Sequence, residues 1–299
     1  MIRREIQFRA EAAALWLAVR FVRLLSPVAA SNLGGAVARS VGPLLPVSRV
    51  ADANLRLALP DLTASQRRVV VRGVWDNLGR TVAELAHIPA LRPTSTGPGW
   101  EVVGSEHLDI LRAKGGPAIL FSGHIANWEV LTPAAATHGI VLATVYRAAT
   151  NPLTDGMITA IRRSAIGEEA PMYPKGAEGA RGVLGHLRAG GFLAMLADQK
   201  MNDGIQATLF GLPAMTPSAG AALALRFRCP LLPAHAERLG PARFRIIVEP
   251  PLSLPDSGDR PADIAALTQA MNDCLERWIR ARPAEWLWLH RRWPKDAAR

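Results

Sequence analysis

Cysteine is nearly absent. The 299 residues hold two, Cys229 and Cys274, neither in a C-x-x-C nor near a His at ligand spacing. That argues against a disulfide framework and a zinc site, and makes a reducing compartment the default. There is no H-E-x-x-H and no G-x-S-x-G, so the chain offers neither a zincin motif nor a serine elbow. No stretch reaches the roughly 20 apolar residues of a spanning helix. The nearest, residues 12–25, is broken by Arg20 and Arg23. No signal-peptide cleavage site stands out after the basic N-terminus. Repeats, low-complexity tracts and Gly/Ser linkers are also missing.

What is present is globular. Hydrophobic residues make up 49% and charged residues 20%, a balance far from that of disordered chains. The length is ample for a real core. Acidic residues are outnumbered, 25 against 35 basic, for a formal net charge of +10. Arg far outnumbers Lys, and the basic residues are dispersed. Such a surplus suits an anionic partner: nucleic acid, a membrane surface, or an acidic substrate or protein. No groove-reading helix or aromatic RNA-binding motif supports nucleic acid.

The first 89 residues read as helical. At about 100° per residue, Arg9, Trp16, Arg20 and Arg23 share one stripe of the first helix and nearly everything else is apolar. A helix docked on its own core would carry a narrower apolar arc. The width favours a helix lying in a membrane interface. Thr63 followed by Gln66 gives a capping-box start to a helix carrying residues 69–71, Trp75, Leu78, Val82 and Leu85. Residues 90–99 read as a loop.

Strands and helices then alternate. Strands are expected at 100–103, 118–121, 141–146, 192–197, 230–236 and 244–249. Helices are expected at 105–114, from near Asn127, and at 152–164, 179–189, 217–228 and 261–281. This implies an α/β fold, a central mixed sheet flanked by helices, with an N-terminal helical, membrane-associating segment. The chain divides into a helical region, 1–89, and an α/β catalytic region, 90–299. In such sheets ligands gather beyond the carboxyl ends of strands. That rule points at the residues after Phe121 and after Ala197.

After the first of these comes Ser122-Gly123-His124-Ile125-Ala126-Asn127-Trp128-Glu129, an H-x4-E. On one continuous helix the two side chains would lie about 140° apart. They meet only if His124 precedes the helix and Glu129 lies in its first turns. Gly123 permits the sharp turn and Asn127 is the expected N-cap. A carboxylate on one ring nitrogen fixes the tautomer and leaves the other free to take a proton from a hydroxyl. The spacing alone is weak evidence, since composition yields about 0.3 such pairs by chance. Its position at the end of a buried strand strengthens it.

Further segments follow: Asn151-Pro152-Leu153-Thr154-Asp155, opening a helix that ends in Arg162-Arg163; Ala197-Asp198-Gln199; Leu209-Phe210-Gly211; Thr216-Pro217-Ser218; and the ending Trp286-Leu287-Trp288-Leu289-His290-Arg291-Arg292-Trp293. In this order they resemble the late acyltransferases of lipid A biosynthesis, the lauroyl/myristoyl transferases, within the superfamily that carries an H-x4-D/E dyad. The resemblance spans residues 54–293.

It implies His124 as catalytic base and Glu129 as its support. It also implies Arg162, with Arg163 as neighbour, anchoring an anionic substrate or the oxyanion. Asp198, Gln199 and Asn127 are expected to contact substrate. The implied reaction moves an acyl chain from acyl carrier protein to a hydroxyl of a lipid A precursor, with no metal and no cofactor. The implied place is the cytoplasmic face of the bacterial inner membrane, with attachment through the N-terminal helix. The acceptor stays open, as another glycolipid or a lysophospholipid suits the same chemistry. A basic, non-enzymatic membrane-binding protein is the reading from another class. The +10 charge suits phospholipid headgroups, substrate phosphates or the acidic carrier, with Arg291, Arg292 and Lys295 as candidate contacts or as surface partners of carboxylates. The tryptophans 286, 288 and 293 are expected in the core.

Overall fold

The computed structural model describes residues 2–167 and 170–294. Four helices come first: α1 (Ile2–Leu24), α2 (Pro27–Val41), α3 (Ser48–Ala58) and α4 (Ala64–Leu85). The capping box forms. Thr63 Oγ1 accepts from the Gln66 N–H at 3.3 Å, and Gln66 Oε1 accepts from the Thr63 N–H at 2.8 Å. Helices α2 and α4 cross at Gly34 and Gly79, where a Cβ on Gly34 would stand 2.3 Å from the Gly79 carbonyl oxygen. Only glycine allows that approach. The buried face of α4 is Val71, Val74, Asn77, Thr81 and Glu84. Val69 and Val82, also on this helix, are 71% and 65% exposed.

After α4 the chain runs β1 (Arg92–Pro93), β2 (Gly99–Val103), α5 (Ser105–Lys114), β3 (Ala118–Ser122), α6 (Leu131–Thr137), β4 (Leu142–Tyr146) and α7 (Pro152–Ile166). Then come β5 (Met172–Pro174), α8 (Ala177–Arg188), β6 (Phe192–Leu196), β7 (Ile205–Leu209), β8 (Leu212–Thr216), α9 (Ala219–Phe227), β9 (Leu231–Gly240), β10 (Arg243–Val248) and α10 (Arg260–Ala281). Eight strands form one sheet in the order β1-β2-β10-β9-β3-β6-β4-β5. Its pairs are parallel except β9 with β10. The expected mixed sheet flanked by helices is observed. Strand β3 is buried at all five residues, as an apolar run in mid-sheet must be.

The hairpin β7–β8 was not expected from the sequence. Its two-residue turn is Phe210-Gly211, with φ 56° and 72°, the type I′ geometry of tight hairpins. A left-handed Phe is strained. Here its ring lies 6.0 Å from that of Trp288 and 6.1 Å from that of Trp293, with the Arg280 guanidinium 4.6 Å above it. Tertiary packing outweighs the local preference.

The tryptophans 286, 288 and 293 are buried, as expected. Arg292 departs from expectation. It is fully buried, forms no ion pair among the described residues, and donates to the Met215 carbonyl at 2.9 Å and to Thr216 Oγ1 at 2.7 Å. Burial pushes its pKa down to about 10. It braces the hairpin against the C-terminal segment. Arg291 is exposed, and Lys295 lies outside the described residues.

His235, on β9, stacks on Trp278 at 4.4 Å, and burial pushes its pKa down to about 4. The fold holds it neutral, while the unfolded chain takes up a proton near pH 6.5. Its contribution is therefore complete above pH 6.5 and is lost as pH falls toward 4. At about 1.4 kcal/mol per tenfold change in proton affinity, that loss is about 3 kcal/mol. Denaturant unfolding at pH 7 and pH 4.5 tests it. His235→Phe, which keeps the stack, should lose less stability on acidification than wild type. Equal losses would remove His235 from the acid response.

Candidate active site

The site lies beyond the carboxyl ends of β3 and β6. These strands pair in parallel with Ser122 opposite Leu196. Two residues further on each strand stand His124 and Asp198, so sheet register sets the two side chains together. Asp198 Oδ1 lies 2.8 Å from His124 Nδ1, and its Oδ2 accepts from the His124 N–H at 2.9 Å and from Trp286 Nε1 at 2.7 Å. Asp198 is fully buried and His124 is largely so.

These contacts shift the titration of both groups. Burial raises the Asp198 pKa, but the His124 ring and N–H outweigh it, and the carboxyl sits well below its usual range. Burial works against the imidazolium of His124. The Asp198 carboxylate, with a smaller contribution from Glu129, overcomes this and raises its pKa. With Nδ1–H donated to Asp198, the neutral tautomer leaves Nε2 bare as a proton acceptor. The indole of Trp128 packs edge-on against the imidazole, centroids 4.9 Å apart.

Glu129 does not hold the ring, contrary to the sequence reading. Arg162, on α7, grips it through Nε at 2.8 Å and through Nη2. The expected dyad partner thus acts on His124 through space, and Asp198 takes its place on the ring nitrogen. Of the two arginines it is Arg162 that joins this cluster, while Arg163 is exposed and unpaired among the described residues. Gln199 is exposed and its side chain makes no hydrogen bond among the described residues, so it does not join the cluster. Asn127 is the N-cap expected, accepting from the Glu129 N–H at 3.1 Å. The substrate contact expected of it does not fit, because it is fully buried and its amide donates to Glu84 at 2.8 Å.

The turn between β3 and the helix is held from three sides. Its left-handed residue is Ala126, φ 48°, rather than Gly123. Gly123 is needed for space, since a Cβ there would meet Leu275 at 2.9 Å and Asp198 at 3.3 Å. The Ala126 carbonyl accepts from Asn77 and Thr81 of α4, each at 3.0 Å. The Ala126 N–H donates to the Glu285 carbonyl at 2.9 Å, and the Leu287 N–H to the His124 carbonyl at 3.0 Å.

Behind the turn lies an ion pair that sequence reasoning missed. Glu84 is fully buried and accepts from Ser31 Oγ, the Asn127 amide, the Ala242 N–H and both terminal nitrogens of Arg238. Arg238 also donates to Asn77 and Thr81. No group of three His, Cys, Asp or Glu residues placed to hold a metal occurs among the described residues. Cys229 is buried and its thiol is pushed up to about 11, unsuited to attack as a thiolate.

A buried Asp–His pair with an unoccupied ring nitrogen, beside an arginine, is general-base machinery without a side-chain nucleophile. The sequence model of the bacterial lipid A biosynthesis acyltransferases matches residues 3–295. The chain belongs to this family. It is an acyltransferase. A lipid A biosynthesis acyltransferase of Haemophilus influenzae is 23% identical over 288 residues, covering 92% of this chain and 86% of that protein. A phosphatidylinositol mannoside acyltransferase of Mycobacterium tuberculosis is 28% identical over 226 residues, covering 74% of this chain and 69% of that protein.

Proposed function

We propose that this acyltransferase moves a fatty acyl chain from the thioester of acyl carrier protein to a hydroxyl of a lipid A precursor, at the cytoplasmic face of the bacterial inner membrane. The observation that carries the mechanism is the bare Nε2 of His124, with Nδ1 bound to Asp198. Nε2 takes the proton of the acceptor hydroxyl as its oxygen attacks the thioester carbonyl. The C–S bond breaks as the tetrahedral intermediate collapses, and the leaving thiolate takes the proton back from the imidazolium. No metal or cofactor enters. Around the turn, the N–H groups of His124, Ile125, Ala126 and Glu129 are already donated within the protein. Among the described residues Arg162 makes no hydrogen bond through Nη1 beside its bonds to Glu129, which favours it over those backbone donors for the developing oxyanion.

Membrane attachment through the N-terminal helices is part of this reading. Trp16, Leu17, Phe21 and Leu24 of α1 and Val37 and Val41 of α2 are all more than half exposed. Among the described residues no helix is long and apolar enough to cross a membrane, which fits a helix lying in the interface. The +10 charge suits the acidic carrier and anionic lipid alike. The mycobacterial relative favours a second acceptor, a mannosylated phosphoinositide.

The test is transfer of labelled acyl chain from acyl carrier protein to a lipid A precursor, with His124→Ala and Glu129→Ala alongside wild type. Wild-type transfer that folded His124→Ala loses supports donor class and base together, and a lesser loss in Glu129→Ala fits a residue that acts on the ring without bonding it. Full activity in His124→Ala would refute the mechanism. Transfer to total membrane lipid but not to the precursor would move the acceptor to another glycolipid.

A further inference from the structure

Three arginines converge where α1 meets α7 and the segment that follows α4. Arg20 lies over the Trp16 ring at 5.7 Å. Arg23 donates Nε to the Ala86 carbonyl at 3.3 Å, and Arg92 donates Nη1 to the carbonyls of Pro89 and Leu91. None of the three forms an ion pair among the described residues. Among the described residues, carboxylates on the surrounding helices are engaged elsewhere: Glu11 with Gln7 and Asn151, Asp155 with the Ala149 N–H, and Glu84 with Arg238.

Two hollows open at this seam. One, of about 290 Å³, is walled by Trp16, Val19, Met157, Ala160 and Ile161, with Arg20 and Arg23. The other, of about 500 Å³, is lined by His87 and Arg92 among others. Arg23 and Ser164 border both, so an apolar hollow runs into a basic one. Among the described residues no acidic side chain lines either. Leu17, Phe21 and Leu24, which are 61%, 54% and 84% exposed, lie on the same helix α1 as Trp16 and Arg23.

We propose that this seam binds an anionic phospholipid of the membrane, its phosphate toward Arg23 and Arg92 and one acyl chain along the apolar wall. The inference rests on the reading that the enzyme works at a lipid surface. Free phosphate would have no use for the apolar hollow. A many-chained glycolipid acceptor would not fit the space, and neither His124, Glu129 nor Asp198 lines it. The unpaired guanidinium groups supply the charge complement that a phosphodiester requires.

The experiment uses the full chain and two probes: dihexanoyl phosphatidylglycerol below its micellar concentration, followed by calorimetry, and vesicles of phosphatidylcholine with or without phosphatidylglycerol. Wild type should bind the short-chain lipid saturably. Arg23→Gln with Arg92→Gln should weaken it about thirtyfold, the effect of two arginines near a lipid headgroup. Ala160→Trp, which fills the apolar hollow, should weaken it at least tenfold. Arg181→Gln with Arg188→Gln, exposed on α8, should change nothing. Equal losses in the two arginine pairs would mean diffuse attraction and overturn the site. So would full binding in Ala160→Trp, or competition by inorganic phosphate as strong as by the lipid. Binding to phosphatidylcholine vesicles with no saturable short-chain binding sinks the site but leaves membrane attachment standing. Saturable binding of the short lipid with no vesicle binding does the reverse.

Discussion

Asp198→Asn is expected to lower turnover by about 10³-fold while leaving the KM for the acyl donor within a few-fold of wild type. The magnitude is that of a general base deprived of correct tautomer and orientation. An Asn side chain accepts a hydrogen bond from Nδ1 only in one orientation and carries no charge to balance the imidazolium. The pH profile separates this from a loss of packing. His124 must be unprotonated to act, and the Asp198 carboxylate, with help from Glu129, raises its pKa against the effect of burial. Wild-type kcat/KM should therefore climb with pH through a value above the ordinary histidine range of about 6.5. In Asp198→Asn the residual activity should climb at lower pH, even though its plateau is far lower. Glu129→Gln should shift the limb in the same direction by less, since Glu129 is bound to Arg162 and acts on the ring without a direct bond. Rates across pH 5–9, with intact folding checked by unfolding curves, decide it. An Asp198→Asn enzyme with the wild-type rate and limb would return the supporting role to Glu129.

Why the sequence pointed to Glu129 has a physical answer. H-x4-E is a local pattern, whereas the bond to His124 comes from the alignment of two strands 74 residues apart. Both strands and both residues were legible, each just past the end of an apolar run. What was not legible was that β3 and β6 are neighbours with Ser122 opposite Leu196. Strand order is set by helices packing across the whole sheet, and no single run of residues encodes it. The hairpin at Phe210-Gly211 was lost for a related reason, because its turn uses a Phe held by Trp288, Trp293 and Arg280 where turn chemistry would choose Asn. Arg292 was misjudged because a lone charge in a basic run looks solvated, and only tertiary structure reveals carbonyl and hydroxyl acceptors around it. The polar stripe Asn77, Thr81 and Glu84 did leave a signal. At spacings of four and three it continues the buried face begun by Val71 and Val74. A helix whose inner face turns polar halfway along is presenting hydrogen bonds to something, and here that is the turn at Ala126.

That stripe underlies the second large effect. Glu84→Gln should lower stability by about 3–5 kcal/mol, because it leaves the Arg238 guanidinium buried without a counter-charge. Stability alone does not explain why a buried pair is present, since such pairs are often replaceable by neutral groups at little cost. The bonds suggest position as the reason. Glu84 holds the Asn127 amide, Asn127 caps the Glu129 N–H, and Arg238 orients Asn77 and Thr81, whose donors fix the Ala126 carbonyl. The double variant Glu84→Gln with Arg238→Met separates the two roles. It removes both charges together and keeps an acceptor oxygen for Asn127, so it should recover much of the stability lost in Glu84→Gln. It should not recover turnover, expected to stay at least tenfold below wild type, with KM little changed. Hydrogen exchange gives a readout independent of substrate. The N–H groups of Ala126 and Glu129 should exchange faster in the double variant, while those in the middle of α10 keep their protection. A double variant with wild-type turnover would make the pair a stabilising device only. Slow exchange at the turn together with lost turnover would place its effect on some other part of the site.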